Sequence, residues 1–283
     1  MIRSEPLDLE AIAEVRTVVH DAARADGVVP LSEQARLNLG NPTWTHLRAV
    51  GDDATLTGYA QLDPDGTGEL VVHPNQRRRG IGRTLLDRLL AVGAQQIWAH
   101  GDHPGAAPLA RAAGLRRQRS LWQLARPLAD PLPDPVVPDG VSVRTFQPDR
   151  DDAAWLALNA AAFAGHPEQG RWSADDLAQR MAEPWFDPDG FFVALRDDRM
   201  VGFHWTKTGD EGEVYVLGVH PDEQGSGLGR ALTLVGLHHL RERGLGRVTL
   251  YVEADYAAAV RLYTSLGFAK VAVDVQYGRA SDH

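Results

Sequence analysis

Two residues in the second half of the chain have side chains suited to moving protons, and a turn suited to holding an anion lies between them. Glu213 heads an apolar run, Val214 to Val219, that ends at His220-Pro221. Tyr263 lies in Ala258-x-x-x-Leu262-Tyr263-x-x-Leu266-Gly267-Phe268. A carboxylate can accept a proton from an attacking group, and a phenol can donate one to a leaving group. The intervening turn is Gln224-Gly225-Ser226-Gly227-Leu228-Gly229-Arg230, whose glycines let backbone N–H groups turn inward. Leu228, Leu232 and Val235 recur at i, i+4 and i+7, so a helix with one buried face opens there. Unsatisfied amides at the positive end of a helix cradle phosphate. A Walker loop would need Gly-x-x-x-x-Gly-Lys-Ser/Thr, and that lysine is missing. A dinucleotide fingerprint would follow the first strand of a βαβ unit, whereas this turn lies late in its half.

The elements that must position these residues occur twice. Helical periodicity covers Leu9 to Arg24, and Ser32 can cap a helix beginning near Glu33. Trp44 to Val50, Thr55 to Gln61 and Gly68 to Val72 read as strands; then His73-Pro74 leads into Arg77-Arg78-Arg79-Gly80-Ile81-Gly82-Arg83 and a helix. Ile97 to Ala99 is a short strand, and a helix from Ala106 ends at Gly114-Leu115. Residues 127–138 hold five prolines, which neither a helix nor a central strand tolerates, so they read as a linker. The order then restarts: helices from Asp151 and after the capping Ser173, strands Phe191 to Leu195 and Val201 to Lys207, the turn with its helix, strand Val248 to Glu253, and a last helix ending at Gly267-Phe268. His-Pro, Gly-x-Gly and Gly-Phe/Leu landmarks appear once per half, the mark of an internal repeat. The expected domains are residues 1–126 and 141–283, joined by a linker at 127–140.

Aligned on those landmarks, the halves differ where chemistry would be done. Gly66 stands where the second half has Glu213, and Ala110 where it has Tyr263. Glu69 is three residues nearer its loop than Glu213 is to its own, which predicts the opposite strand face. The second half is therefore the catalytic candidate. Simpler readings stand beside these: a helix-end tyrosine as a core-edge residue, a strand-end glutamate, and Arg77 to Arg79 as a solvated basic turn rather than a phosphate neutraliser.

Composition narrows the classes. With 283 residues and 43% hydrophobic content, the chain can build two ordinary cores. No apolar run approaches a membrane span and no signal-peptide pattern opens the chain, so a cytoplasmic protein without a membrane partner is expected. A net charge of −9 argues against nucleic acid as a partner. Zero cysteines exclude disulfides, thiolate metal sites and a cysteine nucleophile, and the eleven histidines show no metal-ligand spacing. No metal is expected, and a monomer is the simplest assembly.

The order Gln224-x-x-Gly227-x-Gly229 resembles the pyrophosphate-binding loop of the GNAT acetyltransferases. That resemblance implies the α/β class: two tandem GNAT domains, each a mixed, mainly antiparallel sheet flanked by helices. It implies acetyl-CoA held by Leu217, Gly218, Val219, Gln224, Gly225, Ser226, Gly227, Leu228, Gly229 and Arg230. In the first half Val71, Val72, His73, Arg77, Arg78, Arg79, Gly80, Ile81, Gly82 and Arg83 would do the same, with Arg77 replacing the glutamine. It also implies that Tyr263 lies near the CoA sulfur and protonates the departing thiolate.

Longer segments go further. Asp26 to Gln34, Ala164 to Trp172, Trp185 to Gly190, Gly202 to Lys207 and Gly212 to Val219 are similar to the mycothiol synthase family of tandem GNAT proteins. The likeness spans almost the whole chain. It implies N-acetylation of the cysteinyl amine of a cysteine–glucosamine–inositol conjugate, with Glu33, Glu168, Lys207, Glu213 and Tyr251 lining the substrate site. Glu33 would reach across from the first domain. Carboxylates suit a cationic amine and sugar hydroxyls. The alternatives are another amine, such as a peptide N-terminus or an aminoglycoside, or a CoA-sensing module without catalysis.

Overall fold

A computed structural model describes residues 1–165 and 169–279. In chain order the elements are β1 (Ile2–Ser4), α1 (Leu9–Asp26), α2 (Glu33–Leu37), β2 (Thr45–Val50), β3 (Leu56–Leu62), β4 (Thr67–Val72), α3 (Ile81–Ala91), β5 (Gln96–Ala99), α4 (Ala106–Ala112) and β6 (Arg116–Pro127). They continue with β7 (Val141–Thr145), α5 (Asp152–Ala162), α6 (Ala174–Met181), β8 (Phe191–Arg196), β9 (Arg199–Thr208), β10 (Gly212–Val219), α7 (Leu228–Glu242), β11 (Arg247–Glu253), α8 (Ala257–Ser265) and β12 (Ala269–Gly278). Among the described residues no helix is long and apolar enough to cross a membrane.

The chain forms two compact units whose membership does not follow chain order. The first holds Met1–Trp122, Glu253–Asp255 and the chain from Ala272; the second holds Gln123–Val252 and Tyr256–Val271. Strands β6 and β12, which each follow a Gly-Leu or Gly-Phe turn, were not anticipated from the sequence. The C-terminal strand lies antiparallel to β5 in the first unit, with Val275 opposite Ala99 and Gly278 opposite Gln96.

In the first unit β1 to β4 pair antiparallel in sequence order, and β4 runs parallel to β5. One face of this sheet is covered by α1, through Val15, Val18 and Ala22 against Tyr59 and Val71. The other face is covered by α3 and α4, through Leu85, Leu86, Leu89 and Ala110. The predicted caps form: Ser32 Oγ accepts from the Ala35 N–H at 3.1 Å and fixes the start of α2.

The second unit repeats the plan. Strands β7 to β10 pair antiparallel, and β10 runs parallel to β11. Its α5/α6 face is aromatic: Trp155 meets Phe203 and Trp205 edge-on at 5.2 and 5.9 Å, and Phe191 stacks on Trp205 at 4.4 Å. Such pairs contribute about 0.5–1.5 kcal/mol each beyond their buried area. The α7 face is aliphatic, with Leu228 and Leu232 against Ala194 and Val201.

Candidate active site

In both units the parallel strand pair parts before the loop. Parallel pairing joins Gly212–Val214 to Val248–Leu250 in the second unit and Thr67–Glu69 to Gln96–Trp98 in the first. Past Val214 and Glu69 the strands run on toward their loops without further parallel rungs among the described residues. A parted pair of parallel strands exposes backbone amides that a ligand can engage.

The loop geometry fits a phosphate. Gly225 and Gly227 take φ of +81° and +91°, and Gly80 takes +84°, the left-handed region that glycine enters without strain. An added Cβ at any of the three would meet nothing within 4 Å. These glycines therefore serve backbone direction and not packing. The cap residues of α3 and α7 are glycines with no side chain to satisfy the first-turn amides, and only the Leu228 N–H reaches a nearby hydroxyl among the described contacts, Ser226 Oγ at 3.4 Å. Arg78 takes φ +63° at the place of Gly225. Gly218 has a different reason to be glycine: a Cβ there would lie 2.5 Å from the Phe203 ring.

The three arginines of the first loop do not act alike. Arg77 is held by both oxygens of Asp26 at 2.7 and 2.6 Å and donates Nε–H to the Val72 carbonyl at 3.2 Å. Its charge is committed to Asp26, whose carboxyl it holds below the usual range. Gln224 makes the matching contact in the second unit, its Nε2 donating to the Val219 carbonyl at 3.4 Å. Arg83 pairs with Asp87 and Arg230 donates to Ser265 Oγ at 2.9 Å. A cavity of about 860 Å³ opens over the first loop, lined by Arg78, Gly80, Ile81 and Gly82 and, deeper, by Trp98 and His100.

On β10 the structure brings three predicted residues onto one face. Glu213 stands directly opposite Lys207 on β9 and beside Thr249 on β11. Alternation carries Tyr251, 46% exposed, to the same face as Thr249. Gly212, on the reverse face, looks at Leu240 of α7. Lys207 Nζ sits 4.5 Å from the Trp185 ring centre and 5.3 Å from that of Tyr215. Arg180 Nε donates to the Tyr215 hydroxyl at 2.9 Å.

One expectation is corrected here. Glu69 and Glu213 were expected on opposite strand faces, but both lie on the face covered by the first helix of their unit. The register of β10 against β9 shifts between Val214 and Val216, so Tyr215 is an extra, bulged residue. One inserted residue reverses the alternation. Strand β4 pairs with β3 without a shift, and Val71, two residues after Glu69, packs against α1.

Glu69 nonetheless has another employment. Its Oε2 accepts the Ser32 N–H at 2.7 Å and lies 3.4 Å from His100 Nε2, while His100 Nδ1 is 2.8 Å from Asp274. Burial works against charge at His100, yet the two carboxylates push it up to about 10. Burial likewise opposes ionisation of Glu69, but His100 and Ser32 keep its carboxyl below the ordinary value. The first unit thus has a carboxylate at its splay point that is already neutralised.

Tyr263 lies near the other end of the turn. It is 7% exposed and meets Phe268 edge-on at 5.7 Å. Its neighbour Leu262 comes within 3.9 Å of where a Gly229 side chain would be. Arg126 donates to the Leu266 carbonyl and to those of Asp130 and Pro131, anchoring the end of α8. Burial, with Tyr256 nearby, raises the Tyr263 phenol well above its usual value, so it keeps its proton. Glu33 heads α2 in the first unit, and Glu168 lies outside the described residues. Sequence reasoning missed Trp185, Tyr215, Arg180 and the His100–Asp274 pair. Only the alternation in β10 hinted at Tyr215, and the bulge breaks that alternation.

Comparison with known proteins gives the family. A model of the acetyltransferase (GNAT) family matches residues 12–114 and again 155–268. Mycothiol acetyltransferase of Thermobispora bispora is 53% identical over 98% of both chains. The protein of that name from Streptomyces coelicolor is 51% identical over 96% of this chain and 95% of its own. Among solved structures, a tandem GNAT protein from the clavulanic acid biosynthesis pathway superposes with a TM-score of 0.72 at 20% identity, covering 99% and 100% of the two chains. At that identity the likeness bears on the fold, which is the expected tandem α/β arrangement. The chain belongs to the mycothiol acetyltransferase family, a tandem branch of the GNAT acetyltransferases.

Proposed function

We propose that the second unit transfers the acetyl group of acetyl-CoA to the cysteinyl amine of a cysteine–glucosamine–inositol conjugate, giving mycothiol and CoA. The observation that carries this reading is the Glu213–Lys207 pair on one sheet face, beside the splay of β10 and ahead of an uncapped helix. The first-turn amides of α7, Gly229 and Arg230 among them, would receive the pyrophosphate, and the strand from Leu217 to Val219 would run along the pantetheine arm. Backbone N–H groups of that strand would polarise the thioester carbonyl.

An α-amine has a reference pKa of about 7.7–8.0, so at neutral pH the acceptor must first lose a proton. Glu213 takes it, directly or through water. The free amine then attacks the carbonyl carbon: an N–C bond forms, the C–S bond breaks with its electron pair leaving on sulfur, and the surplus proton on nitrogen passes through water to the thiolate, leaving a neutral amide and the CoA thiol. Tyr263 stabilises that thiolate. Because burial holds its phenol above the range of a thiol, Tyr263 acts as a hydrogen-bond donor more than as a source of a fully transferred proton. Positioning supplies much of the remaining rate.

The first unit is read as binding acetyl-CoA without turning it over. Ala110 stands in the place of the tyrosine, and the Glu69 carboxylate is engaged by Ser32 and His100. Chain boundaries at 1–126 and 141–283 keep each loop with its own helix, and Glu33 is assigned to the substrate site by family likeness. The test is an acetylation assay comparing cysteinyl-glucosaminyl-inositol with a peptide panel and an aminoglycoside. Acetylation of the conjugate alone is expected; acetylation of only the others would overturn the substrate assignment, and none at all would favour a CoA sensor.

A further inference from the structure

Resting on that reading of the second unit, we propose that Trp185 and Tyr215 form a cation–π seat that fixes the Lys207 ammonium beside Glu213, and so set acceptor affinity. A lysine ammonium is a strongly hydrated point charge on a flexible four-carbon stem. To serve as a fixed donor it needs something to hold it in place. Two aromatic rings lie within the 6 Å range over which a cation is attracted to a π face, at 4.5 and 5.3 Å. The rings lie 4.8 Å apart at 57°, so they form two walls of one corner.

The corner is itself braced. Arg180 is 4% exposed, stacks over Trp172 at 3.9 Å, and donates to the Asp176 carbonyl at 2.9 Å. Its Nε–H goes to the Tyr215 hydroxyl at 2.9 Å, which anchors the outer end of that ring. The bulge is what makes the arrangement available. It puts Tyr215 on the same face as Val216, so the ring stands against the Trp205 side of the core and beside Lys207 at once. Trp185 and Tyr215 touch no reacting atom in this scheme. They are positioning residues that act through Lys207, whose ammonium then donates to a neutral oxygen of the acceptor while Glu213 receives the amine.

The experiment uses the full chain with Trp185→Leu, Trp185→Phe, Tyr215→Leu, Lys207→Met and the Trp185→Leu/Lys207→Met double variant. Acceptor KM, acetyl-CoA KM, kcat and thermal melting are measured for each. Trp185→Leu is expected to raise acceptor KM about 5- to 30-fold with acetyl-CoA KM unchanged, and Trp185→Phe to stay within about threefold of the parent. In the Lys207→Met background the same leucine substitution should change KM by less than about twofold. An additive effect there, or an unchanged KM in a folded Trp185→Leu protein, overturns the seat. A readout independent of turnover separates this from the functional reading. Lys207 and Lys270 are the two lysines of the chain, so their relative labelling by an acylating amine reagent can be followed by mass spectrometry. Opening the seat by Trp185→Leu or Tyr215→Leu should speed Lys207 labelling about fivefold relative to Lys270. An unchanged ratio in both variants refutes the seat whatever the acceptor. Failure of the parent to acetylate the conjugate, with the ratio changed as expected, refutes only the substrate assignment.

Discussion

Tyr263→Phe removes one hydroxyl and little else. The ring keeps its edge-on contact with Phe268 at 5.7 Å, and the backbone carbonyl keeps the N–H groups of Leu266 and Phe268 at 3.0 and 3.1 Å. The variant should therefore fold and bind acetyl-CoA as the parent does. What it loses is a hydrogen bond to a sulfur that becomes negative only as the C–S bond breaks. Hydrogen bonds to charged groups contribute about 1.5–3 kcal/mol, so kcat should fall about 10- to 150-fold. The raised phenol sets the upper bound. A thiol titrates near 8.5 and a buried phenol above 10, so full proton transfer would be uphill and cannot supply a larger factor. The acceptor carries a thiol of its own, so product must be followed chromatographically and not with a thiol reagent. Because the phenol stays protonated through the neutral range, the ratio of parent to variant kcat should be flat between about pH 6 and 9. A ratio within twofold of unity, or an acetyl-CoA KM that rises in step with the loss, would remove Tyr263 from the mechanism.

Other outcomes follow from the same geometry. Glu213→Gln should cost about 10²- to 10⁴-fold in kcat near pH 7, and clearly less at pH 9, where the acceptor amine is already deprotonated; an equal loss at both values would deny Glu213 the role of base. Gly80→Val places a branched residue at φ +84° and should abolish CoA binding to the first unit. Titration calorimetry should then show one site per chain in place of two, with turnover retained; complete loss of turnover in the folded variant would give the first site a catalytic role. His204 is buried and neutral, burial holding it down to about 4, so the folded state binds fewer protons there than the unfolded state. Its contribution is present above about pH 6.5 and is lost as pH falls toward 4, by about 3 kcal/mol at most. His204→Leu should flatten the fall in melting temperature between pH 7 and 5, and an unchanged slope would exclude this histidine as the cause.

How far the sequence reached depended on the range of the interaction involved. The two turns were legible because a left-handed φ, an uncapped helix start and an apolar periodicity are each settled within a few residues. The cap at Ser32, the helix from Leu228 and the strands on either side fall where those local preferences place them. The lack of a tyrosine at Ala110 was visible for the same reason, since it is a difference of residue type at an aligned position.

Tertiary structure decided the rest. One residue added at Tyr215 reversed the side-chain alternation of β10, brought Glu213 and Glu69 to corresponding faces, and set Tyr215 beside Lys207. A bulge is a property of two paired strands, and no periodicity within one of them announces it. The neutralised carboxylate of the first unit depends on His100 and Asp274, which are 174 residues apart and meet because the C-terminal strand pairs with β5. Charge on Arg77 looked available until Asp26, 51 residues away, was found to hold it. By itself the sequence determined the tandem family fold, and it showed which half has a glutamate and a tyrosine at the aligned positions where the other has glycine and alanine. What surrounds each carboxylate, and which rings stand beside the lysine, was decided by contacts across the sheet, where the partners of a charge are chosen by proximity in space.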